Sequence, residues 1–252
     1  MSARAGVRSG RTSIVVKMGG GLLSCALAWG LQATAQSLDH IAWRAATAPF
    51  NKGRDLVVGE FGVDPGGASA SALAVAHGAL RSGDHQSLPF VVVDKIHAQV
   101  LVFSGTGRWL GTSTALLGLT RGDEAVAGLG DRPLSQIQPH ERITPAGRFV
   151  AELDRNAAGQ TILWVDYEQA ISLHPVRSLN PQERRLERLA SASLQDKRIS
   201  YGCINVPARF WQAVVLPTFL NTQGIVYVLP DSRPLASMFP NLWQYTKKAE
   251  VE

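Results

Sequence analysis

From Pro89 onward the chain is written in short runs rich in β-branched and aromatic residues, with Gly, Asp and Asn between them. Phe90-Val91-Val92-Val93 is one run and Gln99-Val100-Leu101-Val102-Phe103 another. A Gly-Thr-Gly turn at 105–107 leads to Trp109-Leu110 and then to Ser113 through Leu117. Arg148 to Leu153, Thr161 to Val165 and Gly224 to Leu229 continue the pattern. Runs of this length bounded by turn residues are strands joined as hairpins, so they predict a mainly β domain with a few helices. The 252 residues are 45% apolar and 18% charged, which excludes a disordered or collagen-like chain and leaves room for one large core with extensions.

The start of the chain has a different character. Arg4, Arg8, Arg11 and Lys17 occur before any acidic residue, an apolar run follows from Met18 to about Leu31, and Ala33-Thr34-Ala35 precedes Gln36. A basic start, a short apolar middle and a small-residue site predict a secretory signal peptide over 1–35, cleaved after Ala35, and a periplasmic or secreted product. The apolar run is short of the roughly 20 residues of a membrane span, so no stable span is expected after cleavage. A rival reading takes Leu22-Leu23-Ser24-Cys25 as a lipoprotein site with Cys25 as acceptor, behind a still shorter apolar run. Cleavage after Ala35 lowers the net charge from +5 to about +1, too balanced to predict binding to nucleic acid or anionic lipid.

Residues 36–87 predict a helical extension, with helices over 38–47 and about 68–80. Asn180-Pro181-Gln182-Glu183 has an N-cap residue, a first-turn proline and an acidic third position. It opens a helix to about Ala190, with Leu186 and Leu189 on one face. A further helix is expected from about Ala208 to Val215, before Pro217. Residues 231–252 read as a polar C-terminal tail with aromatic anchors.

Of the two cysteines, Cys25 falls in the predicted signal peptide, which leaves Cys203 alone in the exported chain. An odd cysteine in an oxidising compartment points to an intermolecular bridge or a reactive thiol, against a buried, inert thiol. Its surroundings, Ile199-Ser200-Tyr201-Gly202-Cys203-Ile204-Asn205-Val206-Pro207, are small and polar on the N-terminal side, and Gly202 permits close backbone approach. A cysteine nucleophile needs a base and donors for an oxyanion. His174, in Ile171-Ser172-Leu173-His174-Pro175, ends a strand-like run just before a loop, where scaffolds present catalytic groups. His40, His77, His85, His97 and His140 read as structural or surface residues. No phosphate-cradling glycine motif and no metal-ligand spacing appears, so no cofactor and no metal is predicted.

Arg198-Ile199-Ser200-Tyr201-Gly202-Cys203-Ile204-Asn205, preceded by His174, resembles the active-site signature of the YkuD-type L,D-transpeptidases. Thr144-Pro145-Ala146-Gly147-Arg148-Phe149 resembles that family's Thr-Pro-x-Gly-x-Phe turn, and Val92-Val93-Asp94-Lys95 its opening hairpin. The resemblance covers roughly residues 88–230. Two departures stand out: Tyr201 replaces the histidine of the Ser-His-Gly-Cys box, and the spacer between His174 and Ser200 is long and holds the predicted helix.

The resemblance implies an L,D-transpeptidase-type β-sandwich over 88–230 and a periplasmic enzyme of cell-wall synthesis acting on peptidoglycan stem peptides. Cys203 would be the nucleophile and His174 the base. Backbone N–H groups near Gly202 and Cys203 would hold the oxyanion, and the Pro175 carbonyl would orient the histidine. Ser200 would bond within the site or close a turn; Tyr201 would contact substrate or pack. Arg198 would bind a substrate carboxylate or lie in solvent, and Asn205 would act in the site or cap the next helix. The acceptor would be a diaminopimelate amine or the lysine of an anchored lipoprotein; water would make the enzyme an L,D-carboxypeptidase. The alternative of another class is a non-catalytic cell-wall binding or scaffold protein that retains the fold. The added helix would be a lid, a partner surface or an ordinary surface excursion.

Overall fold

Alternation within the first two strands divides the core. In β1 (Phe90–Asp94) and β2 (Gln99–Phe103) the apolar side chains are all buried. Val91, Val93, Val100 and Val102 enter one apolar cluster, whereas Phe90, Val92, Leu101 and Phe103 enter another. Successive strand residues face opposite sides, so an unbroken apolar run signals a strand covered on both. These strands belong to a computed structural model that describes residues 67–246. The expectations for the signal peptide 1–35, Cys25, the helix at 38–47 and residues 247–252 lie outside the described residues.

β3 (Trp109–Thr114) and a two-residue β4 (Leu117–Gly118) follow, then β5 (Gly147–Arg155), β6 (Thr161–Asp166), β7 (Ile171–Pro175), β8 (Arg198–Ser200), β9 (Ile204–Val206) and β10 (Gly224–Val228). Eight of them form one mixed sheet in the order β3-β2-β1-β10-β5-β6-β7-β9, while β4 and β8 form a parallel pair. Within the large sheet β1·β10 and β7·β9 are parallel and the other pairs antiparallel. β5 joins the two halves: Gly147–Ala151 pairs with β10 and Glu152–Arg155 with β6. Valines of β1, β2 and β10 share a core with Leu163, Leu173, Ile204 and Val206 of the other half, and with Phe210, Val214 and Phe219. The architecture is thus mostly β, a large mixed sheet with few helices, as predicted. The layers enclosing that core are halves of one continuous sheet, because β5 runs through both.

The second apolar cluster carries the helices. Ala70–Ser82 starts where Ser69 Oγ accepts the Ala72 N–H at 3.1 Å and ends at Gly83, whose φ of 71° is the left-handed C-cap. The helix lies about two residues later than predicted because Ser69 supplies the cap. Ala72, Val75, Ala76 and Ala79 pack in the same cluster as Phe90, Val92 and Tyr227. In the C-terminal stretch read as a polar tail with aromatic anchors, Leu235–Met238 and Pro240–Thr246 are helical, and Phe239 and Leu242 are buried in that cluster.

Two other helix boundaries differ. Asn180 Oδ1 accepts the Gln182 N–H at 3.0 Å as expected, but a 3₁₀ turn at Pro181–Glu183 stops at Arg184, whose φ is 49°. The α-helix runs from Arg185 to Ala190, and the break leaves Leu186 exposed while Leu189 is buried. After β9 the chain coils over Ala208–Phe210, a π-helical turn at Trp211–Val215, and Leu216–Phe219. Pro217 does not end it, since it falls in the first turn of the last piece, where a missing N–H is tolerated.

Candidate active site

The parallel register of β7 and β9 places His174 opposite Asn205. Cys203 stands one residue before β9, at the end of a tight turn that begins with Ser200. Buried Ser200 Oγ donates to the Cys203 carbonyl at 2.6 Å and accepts the Gly202 N–H at 3.1 Å. Ser200 therefore closes the turn. Gly202 has φ 131°, and a Cβ there would come within 2.7 Å of the Ile143 carbonyl oxygen and 2.6 Å of Ile171 Cδ1. Only glycine fits that conformation and that space. Thr144 Oγ1, fully buried, donates to the Gly202 carbonyl at 2.7 Å and accepts the Gly118 N–H at 2.9 Å. The Thr-Pro-Ala-Gly-Arg-Phe turn is thus the buttress of the cysteine turn.

Cys203 Sγ lies 3.5 Å from Ser172 Oγ and 3.6 Å from the Ala170 carbonyl. Burial pushes the thiol pKa up. Hydrogen bonding and charge from His174, with hydrogen bonds from Ser172, outweigh it and hold the thiol below its ordinary value. His174 is clamped from two sides. Its Nδ1 is 2.9 Å from the Pro175 carbonyl, and its Nε2 is 3.0 Å from Asn205 Nδ2. Asn205 is fully buried, and its Oδ1 accepts from Arg185 Nη1 at 2.6 Å. That bond fixes the amide, so its N–H faces the imidazole. The helix after Pro207 starts without a side-chain cap, so Asn205 belongs to the site.

A cavity of about 360 Å³ opens over these groups, lined by His174, Ser200, Tyr201, Cys203 and Asn205 on one side. Arg177, Leu179, Asn180, Glu183 and Arg185, from the long spacer, line the other. The first part of the spacer, from Arg177 to Arg185, is therefore a wall of the cavity. Tyr201 packs under Arg142, whose guanidinium carbon is 4.0 Å from the ring centroid.

Arg198 is placed elsewhere. It is buried, pairs with Asp231 at 2.7 Å and donates to the Lys95 carbonyl at 2.8 Å, and it is not among the cavity-lining residues. The readings of Arg198 as a carboxylate ligand or a solvated arginine are both corrected by this pairing. Lys95, also buried, meets Asp123 at 2.9 Å and the Thr144 carbonyl at 2.9 Å. Two cations and two carboxylates thus form a closed cluster that touches the buttress of the cysteine turn. Burial pulls Asp123 up, but N–H donors of Asp231 and Arg233, the Ser232 hydroxyl and Lys95 hold its carboxyl far below the usual range. Sequence reasoning missed Arg185, Ser172 and this cluster. Among the described residues no group of three or more His, Cys, Asp and Glu is placed to hold a metal ion, and no helix is long and apolar enough to cross a membrane.

Fold and site together define a mostly β protein with a cysteine–histidine pair at the ends of two parallel strands. No family model matches the chain, and no curated protein matches it. Among solved structures it is 15% identical to an L,D-transpeptidase from Mycobacterium smegmatis, covering 56% of this chain and 58% of that one, with a TM-score of 0.33. It is 16% identical to the catalytic domain of the E. faecium L,D-transpeptidase, covering 56% and 95%, with a TM-score of 0.31. It is 13% identical to the helical cell shape determining protein Pgp2 from Campylobacter jejuni, covering 73% and 63%, with a TM-score of 0.38. The chain spans less than two thirds of the first and third of these. Likeness this distant assigns no chemistry, which rests on the cysteine–histidine geometry.

Proposed function

We propose that this chain is an exported, cysteine-dependent L,D-transpeptidase acting on peptidoglycan stem peptides. The observation that carries the reading is the Cys203 thiol, lowered in pKa beside His174, in a cavity large enough for a peptide end. The sequence resemblance around Cys203 and the buttressing Thr144 turn support it. Cys203, as thiolate, attacks the carbonyl that joins the third stem residue to the terminal D-Ala. The oxyanion takes the Cys203 N–H, since the Gly202 N–H is already bonded to Ser200 Oγ. His174 returns the thiol proton to the departing amine, D-Ala leaves and a thioester remains. A diaminopimelate amine then attacks the thioester to give a 3-3 cross-link and restores the thiol. A lysine of an anchored lipoprotein gives attachment instead, and water gives L,D-carboxypeptidase activity.

A specific observation favours a second reading, a cell-wall binding protein without turnover. The lone pair of His174 Nε2 takes the Asn205 N–H at 3.0 Å, which competes with its use as a base, and Tyr201 stands where the resembled box has histidine. Incubating the mature protein and its Cys203→Ala variant with a tetrapeptide stem and an amine acceptor separates the readings. Release of D-Ala with a cross-linked product, absent in the variant, is the expected result. Neither D-Ala release nor an acyl adduct on Cys203 would favour the binding protein.

A further inference from the structure

The charges lining the cavity do not balance. Glu183 is held by Arg185 at 2.5 Å, and Arg185 also reaches Asn205, so that pair is internally satisfied. Arg177 is half-buried, lines the same cavity as Cys203 and His174, and has no hydrogen-bond or ion-pair partner among the described residues. Glu183 is the only carboxylate among the residues that line the cavity. Arginines elsewhere at comparable burial are engaged: Arg132 with Glu141, Arg142 with the Ile137 carbonyl and the Tyr201 ring, Arg148 with Asp84, Arg188 with the Glu183 carbonyl. A partly desolvated guanidinium left unpaired in a concave site matches a ligand that brings its own carboxylate in planar, two-pronged geometry.

We infer that Arg177 is the carboxylate-binding residue of this cavity and sets its preference for peptides with a free carboxylate at the reacting end. The inference deepens the acyl-transfer reading and rests on it for the identity of the peptide. Arg177 leaves β7 three residues after His174, so the strand that presents the base also presents the anion site. Exposed Leu134 and Leu179 flank the cavity and suit the apolar parts of the same chain. Two sources of carboxylate satisfy the chemistry: the C-terminus of the leaving residue, and the side-chain carboxylate of the residue whose carbonyl is attacked.

The test is equilibrium binding by the mature protein carrying Cys203→Ala, so that turnover does not enter. The probes are a tetrapeptide stem ending in diaminopimelate–D-Ala, its C-terminal amide, and the stem amidated on the diaminopimelate side-chain carboxylate. The free acid is expected to bind about 10- to 100-fold more tightly than one of the two amides, the range of a lost charge-assisted hydrogen bond, and that amide names the source. Arg177→Gln is expected to erase the discrimination by weakening the acid alone, with Arg177→Lys retaining part of it. Equal affinity for all three peptides, an equal loss for acid and amides in Arg177→Gln, or no binding of any of them would overturn the inference. Discrimination through Arg177 without acylation of wild-type Cys203 would leave the carboxylate site standing and remove the transpeptidase reading.

Discussion

Asn205 donates its side-chain amide to Nε2 of His174 at 3.0 Å, and Arg185 determines which way that amide faces by donating to its oxygen at 2.6 Å. Nδ1 of the ring lies against the Pro175 carbonyl, which can only accept. The uncharged imidazole therefore carries its proton on Nδ1. Nitrogen NMR of histidine-labelled protein is expected to find that tautomer at His174. In Arg185→Ala the amide is free to turn, and both tautomers are expected. The fold should survive, because Arg185 belongs to the cavity wall and to neither apolar core. A wild-type ring protonated on Nε2 alone would refute the arrangement.

The thiol gives a second prediction. Burial disfavours the thiolate of Cys203, and His174 with Ser172 reverses that balance. The pH at which iodoacetamide alkylation rises should lie below that of an ordinary cysteine. In His174→Ala only Ser172 opposes burial, so the inflection should move up and alkylation at pH 7 should slow severalfold or more. Ser172→Ala should shift it in the same direction by less. An inflection untouched by His174→Ala would place the source of thiolate stabilisation elsewhere.

Gly202→Ala tests the turn. The new Cβ would meet a backbone carbonyl at 2.7 Å and would have to sit at φ 131°. Strain and overpacking of this kind cost about 2–4 kcal/mol together. Urea unfolding should show that loss, and Cys203 should lose its enhanced alkylation rate. A variant as stable as wild type would mean that the turn relaxes at little cost.

Acid should weaken the fold in two windows. His77 is lowered from 6.5 to about 4, first by burial and then by Arg81. The unfolded chain binds this proton more readily, so stability falls as pH drops from about 6.5 towards about 4. Asp123 stays ionised in the folded state well below the range in which an unfolded carboxylate takes up its proton. Its contribution is complete at neutral pH and is lost on further acidification, below the His77 window. His77→Gln should flatten the upper part of the stability–pH curve. Asp123→Asn should flatten the lower part and lower stability at pH 7, because Lys95 loses a buried partner.

The strands around Phe90, Gln99 and Gly224 were legible because residues buried on both faces leave unbroken apolar runs. The cysteine turn was legible because Gly202 and Ser200 are local to it. Arg198 was misread because its partner, Asp231, is 33 residues away and sits in a region that reads as polar. Lys95 and Asp123 look like surface charges for the same reason. Asn205 was ambiguous because a cap and a histidine partner call for the same side chain, and only the β7·β9 register separates them. The C-terminal helices are four and seven residues long, too short to show a period.

One consequence follows from the parallel pairing of β7 with β9. Two parallel neighbours cannot be joined by a tight turn, so the chain between them must travel out and return over a dozen or more residues. That obligatory excursion, from Val176 to Cys203, supplies Arg177, Leu179, Glu183 and Arg185 to the cavity. The same detour that the topology demands is thus the place where a descendant of this chain can change what it accepts, while the thiol and imidazole stay anchored to the sheet.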